Sequence, residues 1–331
     1  MHAGPTLLTG ASGFLGQHLC RALVARGAPV RALMRRGDMT LPGVEQFRFA
    51  DLLDRAAVQG AVRGAETVIH LAARVHVMAD RSTDPLAGYR RTNVEGTRLL
   101  MEESLAAGVR RFVFFSTVKA LGESTETPWD EQTHPAPTDP YGVSKLEAEQ
   151  VVGKLAKAGG MAATVLRLPL AYGSGMRANM LRLFEAVDRG IPLPLGGVRN
   201  RRSLVFTGNV VAAVEAVMTT PAAAGETFFV SDGHDVSMPE LIRAIARALG
   251  RPARLMPVPP VLFRAAGRLG DLLAPLVHLP VSSAAVARLF GSLVVDSSKL
   301  TRLTGFRPPF SLDEGLRITA EWYRRRPTDR R

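Results

Sequence analysis

Apolar positions along this chain follow two rhythms that alternate. Short apolar runs at 6–8, 30–34, 46–49, 67–73 and 111–115 predict strands. Between them, apolar residues spaced three and four apart predict helices over 14–25, 54–62, 89–107 and 140–157. This repetition predicts an α/β fold, a parallel sheet with helices on both faces. The later pattern is less regular, with helices predicted over 176–189, 209–219, 238–249 and 311–324 and strands over 203–206 and 227–230. The longest apolar stretch, 258–281, is interrupted by Arg264, Arg268, Asp271 and several prolines. It therefore reads as helices of a second lobe and not as a membrane span. Peripheral membrane contact is the lesser alternative for it. No internal repeat or low-complexity segment appears.

The first strand runs directly into Thr9-Gly-Ala-Ser-Gly-Phe-Leu-Gly16, and a helix opens there. This is the strand–turn–helix setting of a dinucleotide-binding glycine motif. Gly10 turns the chain off the strand, Gly13 lets the backbone approach a pyrophosphate, and Gly16 lets helix and sheet pack closely. Unpaired N–H groups and the positive helix end then face the phosphates. The spacing is one residue longer at its first step than the standard fingerprint. No acidic residue ends the second strand, where an NAD-preferring site usually carries one. Arg35 or Arg36 stands there instead, either as a surface arginine or as a partner for a 2′-phosphate. This favours NADP(H), with NAD(H) the alternative. Asp51, after the third strand, is suited to accept from an adenine amine. Ala72 and Ala73 keep the end of the fourth strand open.

With 331 residues, 46% of them hydrophobic, the chain has material for one large domain or two intimate ones. The single cysteine, Cys20, excludes a disulfide framework or a cysteine metal cluster within one chain and fits a reducing compartment. No metal site is expected. Nothing at the N-terminus resembles a signal peptide, and a cytoplasmic location is expected. The net charge is +12, much of it arginine on helix faces and near the C-terminus, yet only 6% of residues are aromatic. A nucleic-acid surface would interleave basic clusters with exposed aromatics. The charge reads instead as a solvated basic surface that attracts anions such as nucleotides.

Candidate chemistry lies at the fifth strand and the helix after it. Ser116 and Thr117 end that strand, where a doubly wound sheet binds its ligands. Tyr141 and Lys145 are one helical turn apart and share a face. A free tyrosine titrates near 10, too high for a base at neutral pH, and a nearby ammonium lowers that value. A hydroxyl at Thr117 or Ser116 would orient a substrate oxygen against Tyr141. Asn93, inside a predicted helix, needs partners for its amide. His70 reads as a satisfied core histidine, and His76 has no evident partner.

In this order the motifs resemble an extended short-chain dehydrogenase/reductase of the nucleotide-sugar epimerase/dehydratase type. The resemblance rests on Thr9–Gly16, His70-Leu-Ala-Ala73, Asn93-Val-Glu-Gly-Thr97, Phe115-Ser-Thr117 and Tyr141-Gly-Val-Ser-Lys145. Leu166-Arg-Leu-Pro-Leu-Ala-Tyr-Gly173, Arg202-Ser-Leu-Val-Phe206 and Asp296-Ser-Ser-Lys299 extend it over almost the whole chain. It implies a Rossmann-type doubly wound sheet over 1–170, a smaller α/β nucleotide-sugar lobe over 171–325 with chain crossings between them, a basic tail at 326–331, and a homodimer. It also implies Tyr141 as acid/base, Lys145 as its activator and ribose ligand, and Thr117 as hydroxyl partner, with Ser116 in reserve. Cofactor contacts are implied at Gly10, Ser12, Gly13, Phe14, Leu15, Gly16, Arg35, Asp51, Leu52, Leu71, Ala72, Ala73, Asn93, Tyr141, Lys145 and Leu168. Asn179 and Arg202 match positions that meet the substrate diphosphate.

More narrowly, Ala73–Met78 and the stretch from Pro192-Leu-Pro-Leu-Gly196 to Asn200-Arg-Arg-Ser-Leu204 resemble bacterial enzymes of surface-polysaccharide sugar synthesis. Those are UDP-sugar 4-epimerases or 4-keto-6-deoxy-sugar 4-reductases. Val118 and Lys119 stand where sugar 4,6-dehydratases carry an Asp-Glu pair, which disfavours dehydration. Leu170 replaces an expected asparagine. The competing class is a non-catalytic NAD(P)-binding sensor or scaffold on the same fold.

Overall fold

The structure is a computed structural model that describes residues 4–35, 41–49, 51–75, 84–273 and 282–326. Arg36, His76 and the tail beyond Arg326 lie outside the described residues, as does 274–281 of the long apolar stretch.

The first half alternates strand and helix: β1 (Thr6–Thr9), α1 (Phe14–Ala25), β2 (Val30–Met34), β3 (Val44–Arg48), α2 (Arg55–Val62) and β4 (Thr67–His70). Then come α3 (Pro85–Tyr89), a π turn (Arg90–Glu95), α4 (Gly96–Ala106), β5 (Arg111–Thr117), α5 (Pro140–Gly159) and β6 (Ala162–Leu168). The second half contains β7 (Leu170–Tyr172), α6 (Ala178–Asp188), β8 (Arg202–Phe206), α7 (Thr207–Thr219), β9 (Thr227–Phe229) and β10 (Asp235–Val236). It closes with α8 (Met238–Leu249), α9 (Pro260–Leu273), α10 (Ser283–Phe290), α11 (Ser298–Thr304) and α12 (Leu312–Arg325).

Seven strands form one parallel sheet in the order β3-β2-β1-β4-β5-β6-β9. The chain moves outward from β1 to β3 and returns to β4 on the other side of β1. The crevice at the carboxyl ends of β1 and β4 is therefore the topological switch point, where such sheets bind ligands. The central strands are buried along their length, which explains their continuous apolar runs. Core clusters cover both faces of the sheet. A third cluster lies around a small sheet, β10-β8-β7, and helices α6, α8 and α12.

Both β9 and α7 follow residue 170 yet lie with the first lobe. β9 completes the large sheet against β6, and Val210, Val214 and Val217 of α7 share a core with Leu19, Cys20 and Leu23 of α1. The chain thus returns to the large sheet after building part of the small one.

Most predicted elements appear with ends moved by a few residues, because caps fix the ends. Asp54, Asp139, Ser237 and Ser311 each accept a first-turn N–H of the helix they precede. The single helix predicted over 89–107 is instead two helices and a π turn. The extra residue of that turn surrounds Asn93, whose amide is pulled into partners outside the helix. The helix predicted from 176 begins at Ala178, which has a left-handed φ of 54° and follows two positive-φ glycines, Gly173 and Gly175. Strand β6 is hidden in sequence behind the Leu166–Gly173 motif. Among the described residues no helix is long and apolar enough to cross a membrane.

His70 ties this core together. Its Nδ1 lies 2.5 Å from the Thr9 hydroxyl and its Nε2 lies 2.9 Å from the Thr97 hydroxyl, so β1, β4 and α4 meet on one ring. Burial pushes the imidazole down to about 3, and the Lys145 charge adds to this. The unfolded chain therefore takes up this proton first as pH falls. The stabilisation is complete above pH 6.5 and is lost as pH falls towards 3. Urea unfolding at pH 7 and pH 4.5 should show wild type losing up to about 2 kcal/mol more than His70→Gln over that interval. Equal losses would mean the ring is not held neutral.

Candidate active site

The turn between β1 and α1 is built by contact of backbone on backbone. Gly10 has a φ of +71°, and a Cβ there would stand 2.8 Å from the Ala72 nitrogen. A Cβ at Gly16 would stand 2.2 Å from the Gly10 carbonyl oxygen. The Gly13 N–H donates to that same oxygen at 2.9 Å. Helix α1 has no side-chain cap and no carboxylate in its first turn. Its first N–H groups lack intrahelical acceptors by construction, and its positive end is not neutralised. Phe14, Leu15 and Gly16 line a cavity of about 950 Å³ over the switch point. A glycine cradle with an uncapped helix start fits the diphosphate of a dinucleotide.

The same cavity collects most of the predicted residues. Gly10, Ser12 and Gly13 form its floor beside Leu71, Ala72 and Ala73 after β4. Arg35 at the end of β2 and Asp51 and Leu52 after β3 line one end. Ser116, Thr117, Tyr141, Lys145 and Leu168 line the other. The Asp51 carboxylate accepts from Arg91 at 2.5 Å and from the Leu53 N–H at 3.2 Å, which holds it below the ordinary carboxylate range.

Pro140 starts α5, and the Asp139 carboxylate accepts the N–H groups of Tyr141 and Gly142 at 2.9 and 3.1 Å. This fixes Tyr141 on the first turn, where it lines the cavity together with Thr117. Burial raises the phenol above its ordinary value, the Asp139 charge adds to this, and the nearby Thr117 hydroxyl opposes it. Lys145 is buried one turn later. Its ammonium donates to the Phe115 carbonyl at 2.6 Å and sits 4.0 Å above the Phe114 ring. Burial draws Lys145 down to about 7, and the Glu149 charge opposes this. The sequence expects the ammonium to lower the Tyr141 phenol, but here it serves a carbonyl instead. A buried cation takes the nearest good acceptor, and Tyr141 holds its proton in this state.

Behind this wall lies a network that sequence reasoning did not single out. The Ser116 hydroxyl donates to Glu149, and Arg167 of β6 grips the same carboxylate at 2.7 and 3.1 Å. Ser116 is therefore occupied and cannot simply replace Thr117. The signal for Glu149 is its position one turn beyond Lys145 on the same helix face.

Asn93, an expected cofactor contact, is 1% exposed and lies behind the cavity wall. Its oxygen accepts the Arg74 N–H at 2.8 Å, and its nitrogen donates to the Arg74 carbonyl at 3.0 Å and to Ser144 at 2.9 Å. Both amide protons are used, so Asn93 positions the loop after β4 against α5. Lys119, at a position where a dehydratase carries a carboxylate, is held by Asp139 at 3.0 Å and Glu123 at 3.1 Å.

The two expected diphosphate ligands are not on the cavity wall. Asn179 is exposed on the first turn of α6, while its neighbour Arg177, not anticipated from sequence, does line the cavity. Arg202 is partly buried, and its Nη2 donates to the carbonyls of Arg288, Leu289 and Gly291 at the end of α10.

Residues 6–231 match the NAD dependent epimerase/dehydratase family. The chain is 36% identical to UDP-glucose 4-epimerase of Vibrio cholerae over 323 residues, 95% of this chain and 94% of that protein. Among solved structures, MoeE5 in complex with UDP-glucuronic acid and NAD superposes with a TM-score of 0.77 at 28% identity, covering 97% of this chain and 99% of that one. UDP-glucose 4-epimerase of Thermus thermophilus in complex with NAD does so with a TM-score of 0.77 at 27% identity, covering 98% and 100%.

Two glycine substitutions separate close packing from helix propensity. Gly16→Ala places a methyl against the Gly10 carbonyl and should lower Tm and abolish the thermal shift produced by added dinucleotide. Gly153→Ala, in α5 with nothing within 4 Å of its would-be Cβ, should stabilise by about 0.5–1 kcal/mol and keep that shift. A dinucleotide-induced shift surviving in Gly16→Ala would remove the turn from the binding site.

Proposed function

The chain belongs to the NAD dependent epimerase/dehydratase family, within the extended short-chain dehydrogenases/reductases, and we propose that it inverts carbon 4 of a UDP-hexose. One observation carries this reading: Thr117, Tyr141 and Lys145 line the same cavity as the glycine turn at the start of α1. The likeness to the Vibrio cholerae UDP-glucose 4-epimerase over nearly the whole chain supports it. Lys119, tied to Asp139 and Glu123, offers no carboxylate for removing water, which argues against dehydration.

The nicotinamide, when bound, supplies the acceptor and donor of hydride. Gly10, Gly13 and Gly16 would receive the cofactor diphosphate, and Ala72 and Ala73 leave room for it above β4. Tyr141 removes the proton from the sugar O4 as the carbonyl forms and returns it as the carbonyl is reduced. Thr117 holds the same oxygen in line. Lys145 lies one helical turn beyond Tyr141 on the same cavity wall, and positive charge near the phenol stabilises phenolate. Its fall to about 7 leaves its charge sensitive to what enters the cavity. The substrate diphosphate is assigned to Arg177 at the start of α6, which lines the cavity.

A 4-keto-6-deoxy-sugar reductase would use the same residues for the second half of this chemistry only. Interconversion of UDP-glucose and UDP-galactose, followed by NMR without net change in cofactor redox state, is the expected result. Consumption of NAD(P)H with a UDP-4-keto-6-deoxy sugar, without such interconversion, would replace the epimerase assignment.

Tyr141→Phe should lower kcat by about 100-fold or more while leaving dinucleotide and UDP binding intact. Thr117→Val should lower kcat more than Ser116→Ala, because the Ser116 hydroxyl faces Glu149. Near wild-type turnover in Tyr141→Phe would refute the mechanism.

We also assign Arg35, exposed at the cavity rim, to the 2′-phosphate of NADP(H). NADPH should bind wild type more tightly than NADH, and Arg35→Ala should erase the difference. Equal dissociation constants in wild type would return the site to NAD(H).

A further inference from the structure

Helix α9 turns Val261, Leu262, Leu269 and Leu272 away from the protein. It meets α10 through Phe263 and Gly267, and Gly270 is buried on the same side. A Cβ at Gly267 would stand 3.1 Å from the Ser283 backbone, and the Phe263 and Phe290 rings meet edge to face at 5.3 Å. Asp271 accepts the Ser283 N–H at 3.2 Å. This closes the inner face with small residues and one aromatic ring. On the outer face Val261, Leu262, Leu269 and Leu272 are 64%, 57%, 55% and 74% exposed. At about 100° per residue they fall in a single stripe opposite the glycines. Arg264 and Arg268, one turn apart, run along one edge of the stripe. Neither forms an ion pair or side-chain hydrogen bond among the described residues. A surface helix normally turns such a stripe inward.

We propose that α9 docks in the interface of an anionic lipid bilayer, with Val261, Leu262, Leu269 and Leu272 at the acyl boundary and Arg264 and Arg268 among headgroup phosphates. An apolar face flanked by cations is the pattern of a helix that lies in the membrane plane. Charge decides between occupants. An antiparallel two-fold contact with a second copy about this stripe would set the two arginine rows along the same edge, which costs energy unless acids intervene. An anionic surface neutralises them, and the net charge of +12 adds long-range attraction. The α9–α10 pair is fastened to the second lobe, since Asn200 donates to the Leu289 carbonyl at 2.9 Å and Arg202 to the Gly291 carbonyl at 3.3 Å. Docking would therefore orient the whole lobe and not a loose arm.

The test is flotation of the full-length protein with vesicles of phosphatidylglycerol and phosphatidylethanolamine, and with vesicles of phosphatidylcholine alone. Wild type should float with the anionic vesicles and not with the neutral ones, and high salt should weaken the binding. The triple substitution Leu262→Ser, Leu269→Ser, Leu272→Ser should reduce binding by about tenfold or more. Arg264→Glu with Arg268→Glu should do the same at low salt. These positions are solvent-facing, so circular dichroism and dinucleotide-induced thermal shift should match wild type and report an intact fold. Three results would overturn the proposal: no flotation of folded wild type with anionic vesicles at low salt, equal flotation of the leucine variant, or equal binding to neutral vesicles. A wild-type dimer that dissociates in the leucine variant, with no flotation, would assign the stripe to a second copy instead.

Discussion

Everything at the candidate active site depends on how closely the backbone after β1 approaches the backbone after β4. Gly10 lies against Ala72 and Gly16 lies against Gly10 at distances no side chain tolerates. That approach opens the switch point and aims the start of α1 into the cavity. It also sets where β4 ends, because the Leu71 N–H donates to the Thr9 carbonyl and the Ala72 N–H to the Thr9 hydroxyl. Thr9 in turn holds His70, so the cradle and the core beneath it share one set of hydrogen bonds. Cβ atoms in this turn would disturb both.

The second constraint is electrical. Lys145 is 3% exposed in the core, and a buried cation is costly unless satisfied. The Phe115 carbonyl, the Phe114 face and the Glu149 carboxylate supply that satisfaction from β5 and α5. Glu149 is shared with Ser116 and Arg167, so β5, β6 and α5 are joined through one carboxylate. Breaking such a buried pair by removing one partner costs about 3–5 kcal/mol. The network gains rigidity where Thr117 and Tyr141 must keep their geometry.

The lobes are interwoven rather than strung in series. β9 completes the large sheet after the chain has already built β7, α6 and β8. Asp232, just beyond β9, accepts from Tyr172, Asn209 and the Phe206 N–H, binding the small sheet to α7. Arg202 and Asn200 fasten the α9–α10 pair to β8. The large and the small sheet thus share one continuous frame.

The sequence by itself determined the alternation of strands and helices, because buried parallel strands and amphipathic helices write different periods into the chain. It also determined the glycine turn and the Tyr141–Lys145 pair, since their meaning lies in short spacings: a tight turn needs glycine locally, and one helical turn places two side chains together. Tertiary structure alone decided what those residues face. Nothing local says that the Lys145 ammonium meets the Phe115 carbonyl, that Asn93 spends its amide on Arg74 and Ser144, or that Arg202 turns to the end of α10. The π turn at Asn93 and the glycine seam that leaves the apolar side of α9 outward likewise come from neighbours distant in sequence. Periodicity fixes which face of a helix is apolar, but only packing determines which face is covered.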